Sequence, residues 1–311
     1  MNKLENRNTC NLCNHNEFEL YVTIPKLGRK ILKCKNCGLI FVDPLSDSFA
    51  TFDFENQKHR EQKYHQMRLA AEKEGKFDED MIRCEEAIRT LHFKNRKEEI
   101  EGYVKSGKLL DIGCGRGFFL TNFLGSNVDY FGIEPRRRIS EEAQKRVGEN
   151  KIFCGTLKEA NLPDSHFDIV TMINLIEHLP FPKETLNEVN RIMKNSGLLF
   201  IETPNVESVV PTILGKRWHA FLEYEHHYFF SKDTLTRMLK DTGFRIEKMR
   251  RGNKLFSIRY LLYRLSWYNR KMSTYMEKIL NISNLLEKTV KIPQVDELIV
   301  IARKVTTLEK G

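Results

Sequence analysis

Residues 108–120, KLLDIGCGRGFFL, set an apolar run and an acid ahead of three glycines at every second position. That order constrains the fold more than any other stretch, because a strand must run straight into a turn that tolerates almost no side chains. Open α/β sheets bind their ligands at such carboxyl ends of strands. The texture then repeats along the chain. KLLDIG, YFGIEP, KIFCGT, FDIVTMI, GLLFIETP, FRIEKMRR and ELIVIARK are short apolar runs separated by polar, helix-like stretches. Strands alternating with helical crossovers predict an open, mostly parallel α/β sheet.

The turn itself narrows the ligand. No Lys-Ser or Lys-Thr follows the last glycine, so it is not a phosphate-binding P-loop. Its spacing is G-x-G-x-G rather than the G-x-G-x-x-G of dinucleotide sites. The next strand ends in Glu134, whose two carboxylate oxygens suit the paired hydroxyls of a ribose.

With Glu134 standing 23 positions after Asp111, D-I-G-C-G-R-G resembles the class I S-adenosylmethionine (SAM) dependent methyltransferases over about residues 107–304. The resemblance implies a seven-stranded Rossmann-like sheet with helices on both faces. It implies that the backbone at Gly113, Gly115 and Gly117 approaches the methionine and ribose parts of SAM. By the same resemblance Asp111 supports the amino-acid end and Glu134 takes the ribose. CGTLKEANLP (154–163) covers the adenine with Leu157, and Asn174 lies beneath the sulfonium. The ligand so implied carries no phosphate.

Methyl transfer from a sulfonium is an in-line displacement, so the protein mainly aligns donor and acceptor. A hydroxyl acceptor must also lose its proton, to a base or at a metal. NLIEHLPFP (174–182) offers Glu177 and His178 just past the fourth strand. EYEHHYFFSKDTLTRML (223–239) offers His226, with His227 as an interchangeable candidate, and Ser231 as N-cap of the helix that follows. The E-H-L stretch and the later H-x-x-x-F-S stretch resemble a branch that includes quinone-ring O-methyltransferases and bacterial enzymes modifying sugars or surface polysaccharides. A narrower resemblance is to methyltransferases acting on small-RNA 3′ ends, which bind a divalent ion through E-x-x-E-H and a later His. Glu177, His178 and His226 match three of those four ligands, while Asn174 stands in place of the first Glu. A second divalent ion at Glu177, His178 and His226 is the implication. The plainer alternative is that Glu177 and His178 open a helix and hydrogen-bond locally.

Cys10, Cys13, Cys34 and Cys37 form two C-x2-C pairs with twenty residues between them. Two tight turns can present four thiolates to one tetrahedral ion, so these residues predict a structural zinc ribbon without catalysis. Gly38 follows the second pair, where the knuckle needs a residue without Cβ. Cys84, Cys114 and Cys154 are isolated and read as core or turn residues.

No apolar window approaches the 18 residues of a membrane span, and the N-terminus lacks the apolar core of a signal peptide. A reducing cytoplasm is therefore expected. The net charge of +9 is concentrated: residues 245–311 hold 15 basic and 6 acidic residues, and the remainder balances. Between the last two strands Leu255, Ile258, Leu261, Leu262, Leu265 and Tyr268 recur near helical spacing, interleaved with Arg259, Arg264, Arg270 and Lys271. A basic aromatic insert of this kind packs on the sheet, lies on an anionic membrane at its inner face, or grips an anionic substrate.

The expected organisation is a zinc ribbon over 1–45, a helical linker or cap over 46–106 and a methyltransferase domain over 107–311 with a basic helical insert at about 252–293. The expected activity is methyl transfer to a hydroxyl of a small molecule or a saccharide or lipid-linked precursor. An RNA methyltransferase using the ribbon and the basic insert is the enzymatic alternative, and a SAM-binding scaffold the non-enzymatic one.

Overall fold

The computed structural model describes residues 9–43, 79–259, 261–262, 270–282, 285–286 and 288–305. The chain forms two compact units. The first holds the described residues of Met1–Phe52, Glu99–Gly252 and Val295–Gly311, and the second those of Asp53–Glu98 and Asn253–Gln294.

In the first unit β1 (Phe18–Ile24) and β2 (Arg29–Cys34) form an antiparallel hairpin, with Phe18 opposite Cys34 and Ile24 opposite Arg29. A 3-10 turn begins at Pro25 and closes on Gly28 at φ 62°, a left-handed backbone that glycine adopts without strain. β3 (Ile40–Asp43) adds to β2. Helix α1 (Glu79–Glu101) leads to β4 (Gly107–Ile112), which carries the KLLDI run. Then come β5 (Val128–Glu134), α2 (Arg137–Val147), β6 (Ile152–Cys154) and β7 (Phe167–Ile173). Helix α3 (Pro182–Ile192) starts on proline, whose fixed φ suits a first helical turn. It buries Leu186, Val189 and Ile192 at helical spacing. β8 (Met193–Pro204) follows, then the short helices α4 (Val209–Leu214) and α5 (His219–Leu222), and β9 (Tyr228–Phe229). Ser231 caps α6 (Lys232–Asp241) through a reciprocal bond pair with Thr234, as the sequence predicts. β10 (Phe244–Ser257), α7 (Arg270–Ile282) and β11 (Thr289–Lys304) complete the elements.

Seven strands lie in the order β10-β11-β8-β7-β4-β5-β6. The pairs from β8 to β6 are parallel, and β11 runs antiparallel to β8. The strand order reverses between β7 and β4, the switch point where such sheets open a crevice. The sheet is the Rossmann-like one expected from the sequence. Its central strands are buried on both faces, Leu110, Val170, Leu199 and Ile201 among them.

Three features depart from the sequence reading. The first crossover, directly after the glycines, holds only a 3-10 turn at Leu120–Phe123 where a helix is expected. Thr121 and Asn122 bond back to the carbonyls of Phe118 and Phe119, which competes with a helical ladder. β10 and β11 run to Ser257 and back from Thr289, so strand occupies both ends of the expected helical insert. Helix occupies Arg270–Ile282, the middle of that insert. Ile258 and Leu261 are half-buried, Leu262 is buried, Lys271 is exposed, and Arg259 lies 3.8 Å from Glu277. The side chains of Leu255, Arg264, Leu265, Tyr268, Arg270 and Cys84 lie outside the described residues, as does most of the 46–106 linker. Finally, β3 pairs with β9, placing Ile40 opposite Phe229 and Phe41 opposite Tyr228. β9 therefore completes a four-stranded sheet with the three N-terminal strands, in the order β1-β2-β3-β9.

Among the described residues, no helix is long and apolar enough to cross a membrane.

Candidate active site

The carboxyl ends of β4, β5 and β7 meet at the switch point. Asp111, the penultimate residue of β4, is buried and accepts the Thr171 hydroxyl of β7 at 2.6 Å. Burial pushes its carboxyl up to about 7, with the Glu134 charge adding and the Thr171 bond opposing. Gly113 and Cys114 donate backbone bonds to Ile133 O at 2.8 and 3.0 Å, which ties the turn to β5. Gly113, Gly115 and Gly117 all have positive φ, at 72°, 54° and 76°. A Cβ on Gly113 would stand 2.7 Å from the Leu175 side chain, and one on Gly117 3.3 Å from Ala143 of α2. One on Gly115 would meet nothing within 4 Å, so at this position it is the left-handed backbone rather than packing that favours glycine.

Glu134 is 1% exposed at the end of β5. Its Oε2 accepts the Gly115 N–H at 3.0 Å, and its Oε1 accepts the Arg136 N–H at 3.0 Å and Arg136 Nε at 2.7 Å. The Arg136 side chain is 42% exposed, so it can swing outward. Sequence reasoning missed this partner, and the R-R-R run after Pro135 was the available signal. Leu157 is buried in the loop after β6, and Asn174 adopts φ 50°, a conformation Asn tolerates better than most residues. The Asn174 N–H donates to Glu202 O at 2.8 Å, which fixes the start of the loop after β7.

The second cluster lies on two loops. Glu177 and His178 sit on a 3-10 turn, Ile176–His178, and only local helical structure forms there before α3. His226 comes from the loop before β9. His178 Nδ1 bonds Glu225 O at 3.0 Å, and His226 Nδ1 bonds Ala220 O at 3.0 Å. A carbonyl only accepts, so both Nδ1 atoms carry the proton and both Nε2 atoms present lone pairs. The two rings meet edge to face, 4.7 Å between centroids. Glu177 is 1% exposed; Thr203 donates to its Oε2 at 2.9 Å, and its Oε1 has no hydrogen-bond partner among the described residues. One ligating atom each from Glu177, His178 and His226 lies within 4.8 Å of the others. Burial pushes Glu177 up to about 8, lowers His178, and lowers His226 to about 2 with the help of the His178 ring. Burial thus favours the uncharged form of all three groups.

His227 does not join this set. It is fully buried, and its backbone N–H donates to Glu177 O at 2.8 Å while its carbonyl accepts from Val42 of β3 at 2.9 Å. The converging donor group takes in His226 and not His227, so the two histidines are not interchangeable.

The four cysteines converge as their spacing predicts. Cys10 and Cys37 Sγ are 3.5 Å apart, Cys13 and Cys34 Sγ are 3.6 Å apart, and all four lie within 4.8 Å of one another. A tetrahedron with bonds of about 2.3 Å has edges of about 3.8 Å, so the donor set fits a zinc ion.

A family model described as a methyltransferase domain matches residues 80–249. The chain belongs to this methyltransferase family. The match spans both clusters around the switch point and leaves the ribbon outside. This methyltransferase is 30% identical over 134 residues to an uncharacterized protein of Methanocaldococcus jannaschii, covering 43% of this chain and 53% of that one. It thus spans about half the length of that relative. It is 26% identical over 160 residues to a ubiquinone biosynthesis O-methyltransferase of Leptothrix cholodnii, covering 47% of this chain and 67% of that one. Among solved structures, a SAM-dependent methyltransferase from Archaeoglobus fulgidus superposes with a TM-score of 0.50 at 22% identity, over 73% of this chain and 100% of that one. That likeness is one of fold, and it is the SAM-dependent methyltransferase fold.

Proposed function

We propose that the protein moves a methyl group from SAM to an acceptor hydroxyl on a small molecule, a saccharide or a lipid-linked precursor. The observation that carries this reading is the open glycine turn held between Asp111 and Glu134 at the switch point. In it SAM lies over Gly113, Gly115 and Gly117, with its amino-acid end toward Asp111, its ribose on Glu134, its adenine against Leu157 and its sulfonium near Asn174. The ribose displaces the Arg136 guanidinium from Glu134. Relatives named for ubiquinone O-methylation support a hydroxyl acceptor. His178 and His226 face that hydroxyl with unprotonated Nε2 atoms, and Glu177 lies behind them. Cys10, Cys13, Cys34 and Cys37 hold a structural zinc. The site is cytoplasmic in this reading, and the basic insert at 252–293 meets an anionic substrate or the inner face of a membrane.

A cation-assisted version of the acceptor site has its own support. One donor atom each from Glu177, His178 and His226 converges within 4.8 Å, a two-histidine, one-carboxylate set, and Oε1 of Glu177 is buried without a hydrogen-bond partner among the described residues. A divalent ion held there lowers the pKa of a hydroxyl bound to it. His226, lowered to about 2, is a weak base on its own, and ligation uses the same lone pair.

Label transfer from methyl-labelled SAM into a cell extract tests the acceptor class. The proposal expects label in the small-molecule, saccharide or lipid fraction, and more of it with added magnesium or manganese if the cation version holds. Label confined to RNA transfers the protein to the nucleic-acid reading, and no label in any fraction leaves the scaffold reading.

A further inference from the structure

Arg29, the first residue of β2 in the ribbon, is 6% exposed. Its guanidinium crosses to the loop that carries His226. Nη1 donates to Glu223 O at 2.6 Å, and Nη2 donates to the carbonyl of His226 itself. The same group lies 5.5 Å from the centre of the Tyr224 ring. Both hydrogen-bond partners are main-chain carbonyls, not a carboxylate. A buried charge bonded in this way costs stability relative to an apolar side chain of like volume. What it supplies is geometry: a planar fork that fixes two carbonyls three residues apart in one orientation.

The rest of the ribbon reinforces that hold. Val42 of β3 donates to His227 O, and His227 donates to Glu177 O, so one backbone chain runs from the ribbon to the acceptor cluster. Ile24, Ile31, Ile40 and Val42 pack with Trp218, Ala220, Phe221 and Phe229. Ala220 is the residue whose carbonyl sets the His226 tautomer. On the other side, Lys183 of α3 donates to Leu12 O, between the first two cysteines, at 3.1 Å.

We propose that the ribbon is the positioning element of the acceptor site, with Arg29 as the positioning residue that holds His226 in its Nδ1–H tautomer. It rests on the reading of His226 as an acceptor-side group, not on the identity of the acceptor. The glycine turn makes none of these contacts, so cofactor affinity does not depend on Arg29.

The test compares the zinc-loaded wild type with Arg29→Met, which keeps the buried length and removes the fork, and with Arg29→Lys. Three readouts are taken: S-adenosylhomocysteine affinity by calorimetry, hydrogen exchange at 223–227, and imidazole nitrogen NMR shifts of His226. For Arg29→Met the proposal expects affinity within twofold of wild type and exchange at least tenfold faster. It also expects His226 shifts moved from the fixed Nδ1–H tautomer toward the averaged one. Arg29→Lys, which can keep one carbonyl bond, is expected to fall between. Unchanged exchange and tautomer in Arg29→Met overturn the proposal. So does a loss of cofactor affinity equal in both variants, which marks Arg29 as a general folding residue. A wild type that fails to bind S-adenosylhomocysteine while the Arg29 variants still loosen 223–227 refutes the cofactor assignment and leaves the positioning role standing.

Discussion

The glycine turn and the proposed acceptor cluster follow two central strands of one sheet, β4 and β7, and are built in opposite ways. The turn is local: strand, acid, glycines and Glu134 come from 27 residues of continuous chain, 108–134, with Thr171 and Arg136 adding side-chain bonds from outside it. The acceptor cluster is distributed. Glu177 and His178 follow β7, His226 precedes β9, and Arg29 and Val42 reach in from the ribbon. A local site survives damage elsewhere, whereas a distributed one fails when any contributor moves.

Loss of the proposed zinc is the hardest blow to that contrast. Structural zinc contributes about 10–16 kcal/mol of binding energy in ribbon-like peptides, so Cys37→Ser is expected to lose the metal and the ordering of 9–43. Zinc content by mass spectrometry and hydrogen exchange check this, with 223–227 loosening as well. S-adenosylhomocysteine affinity changing more than threefold would show that the two regions are not independent.

His226→Ala is the next largest. Once an acceptor is found by label transfer, turnover is expected to fall roughly 100-fold with cofactor affinity unchanged. Full turnover would remove His226 from the chemistry. Glu134→Ala strikes the other region: affinity is expected to weaken tenfold or more, on the order of 1.4–3 kcal/mol for charge-assisted ribose bonds. Calorimetry reads it directly.

Asp111 sharpens the contrast through pH. Its carboxyl is raised from 3.8 to about 7 by burial. The amino group of the cofactor favours the charged form, so affinity is expected to fall roughly tenfold between pH 8 and pH 6, and Asp111→Asn to flatten the profile. Stability of the cofactor-free protein runs the other way. The folded state holds a proton that the unfolded state releases near pH 4, so this contribution is full below about 3.8 and is lost as pH rises through 7. The smallest expected effect is Arg136→Ala, a two- to threefold gain in affinity, or about 0.5 kcal/mol, as a competitor for Glu134 is removed. A loss instead would mean that Arg136 orients Glu134 for the ribose.

What could be read from the sequence follows the same division. The strands, the turn, Glu134 and the four cysteines announce themselves because each motif is contiguous or regularly spaced. His178 and His226 were legible as candidates, but the choice between His226 and His227 was not, because it depends on how chain enters β9. Arg29 had no local signal at all: a basic residue at the start of a hairpin strand looks like a solvated charge until its carbonyl partners, 194 and 197 positions away, are in place. The 3-10 turn after the glycines was hidden for a related reason, since Thr121 and Asn122 bond backward only once the turn has formed.

Titration of the zinc-loaded protein with S-adenosylhomocysteine, in parallel with Glu134→Ala, tests the central claim most directly. One site per chain with micromolar or tighter affinity, weakened tenfold or more in the variant, is the result the account predicts. Absence of binding to the wild type, or binding that Glu134→Ala leaves untouched, would contradict it.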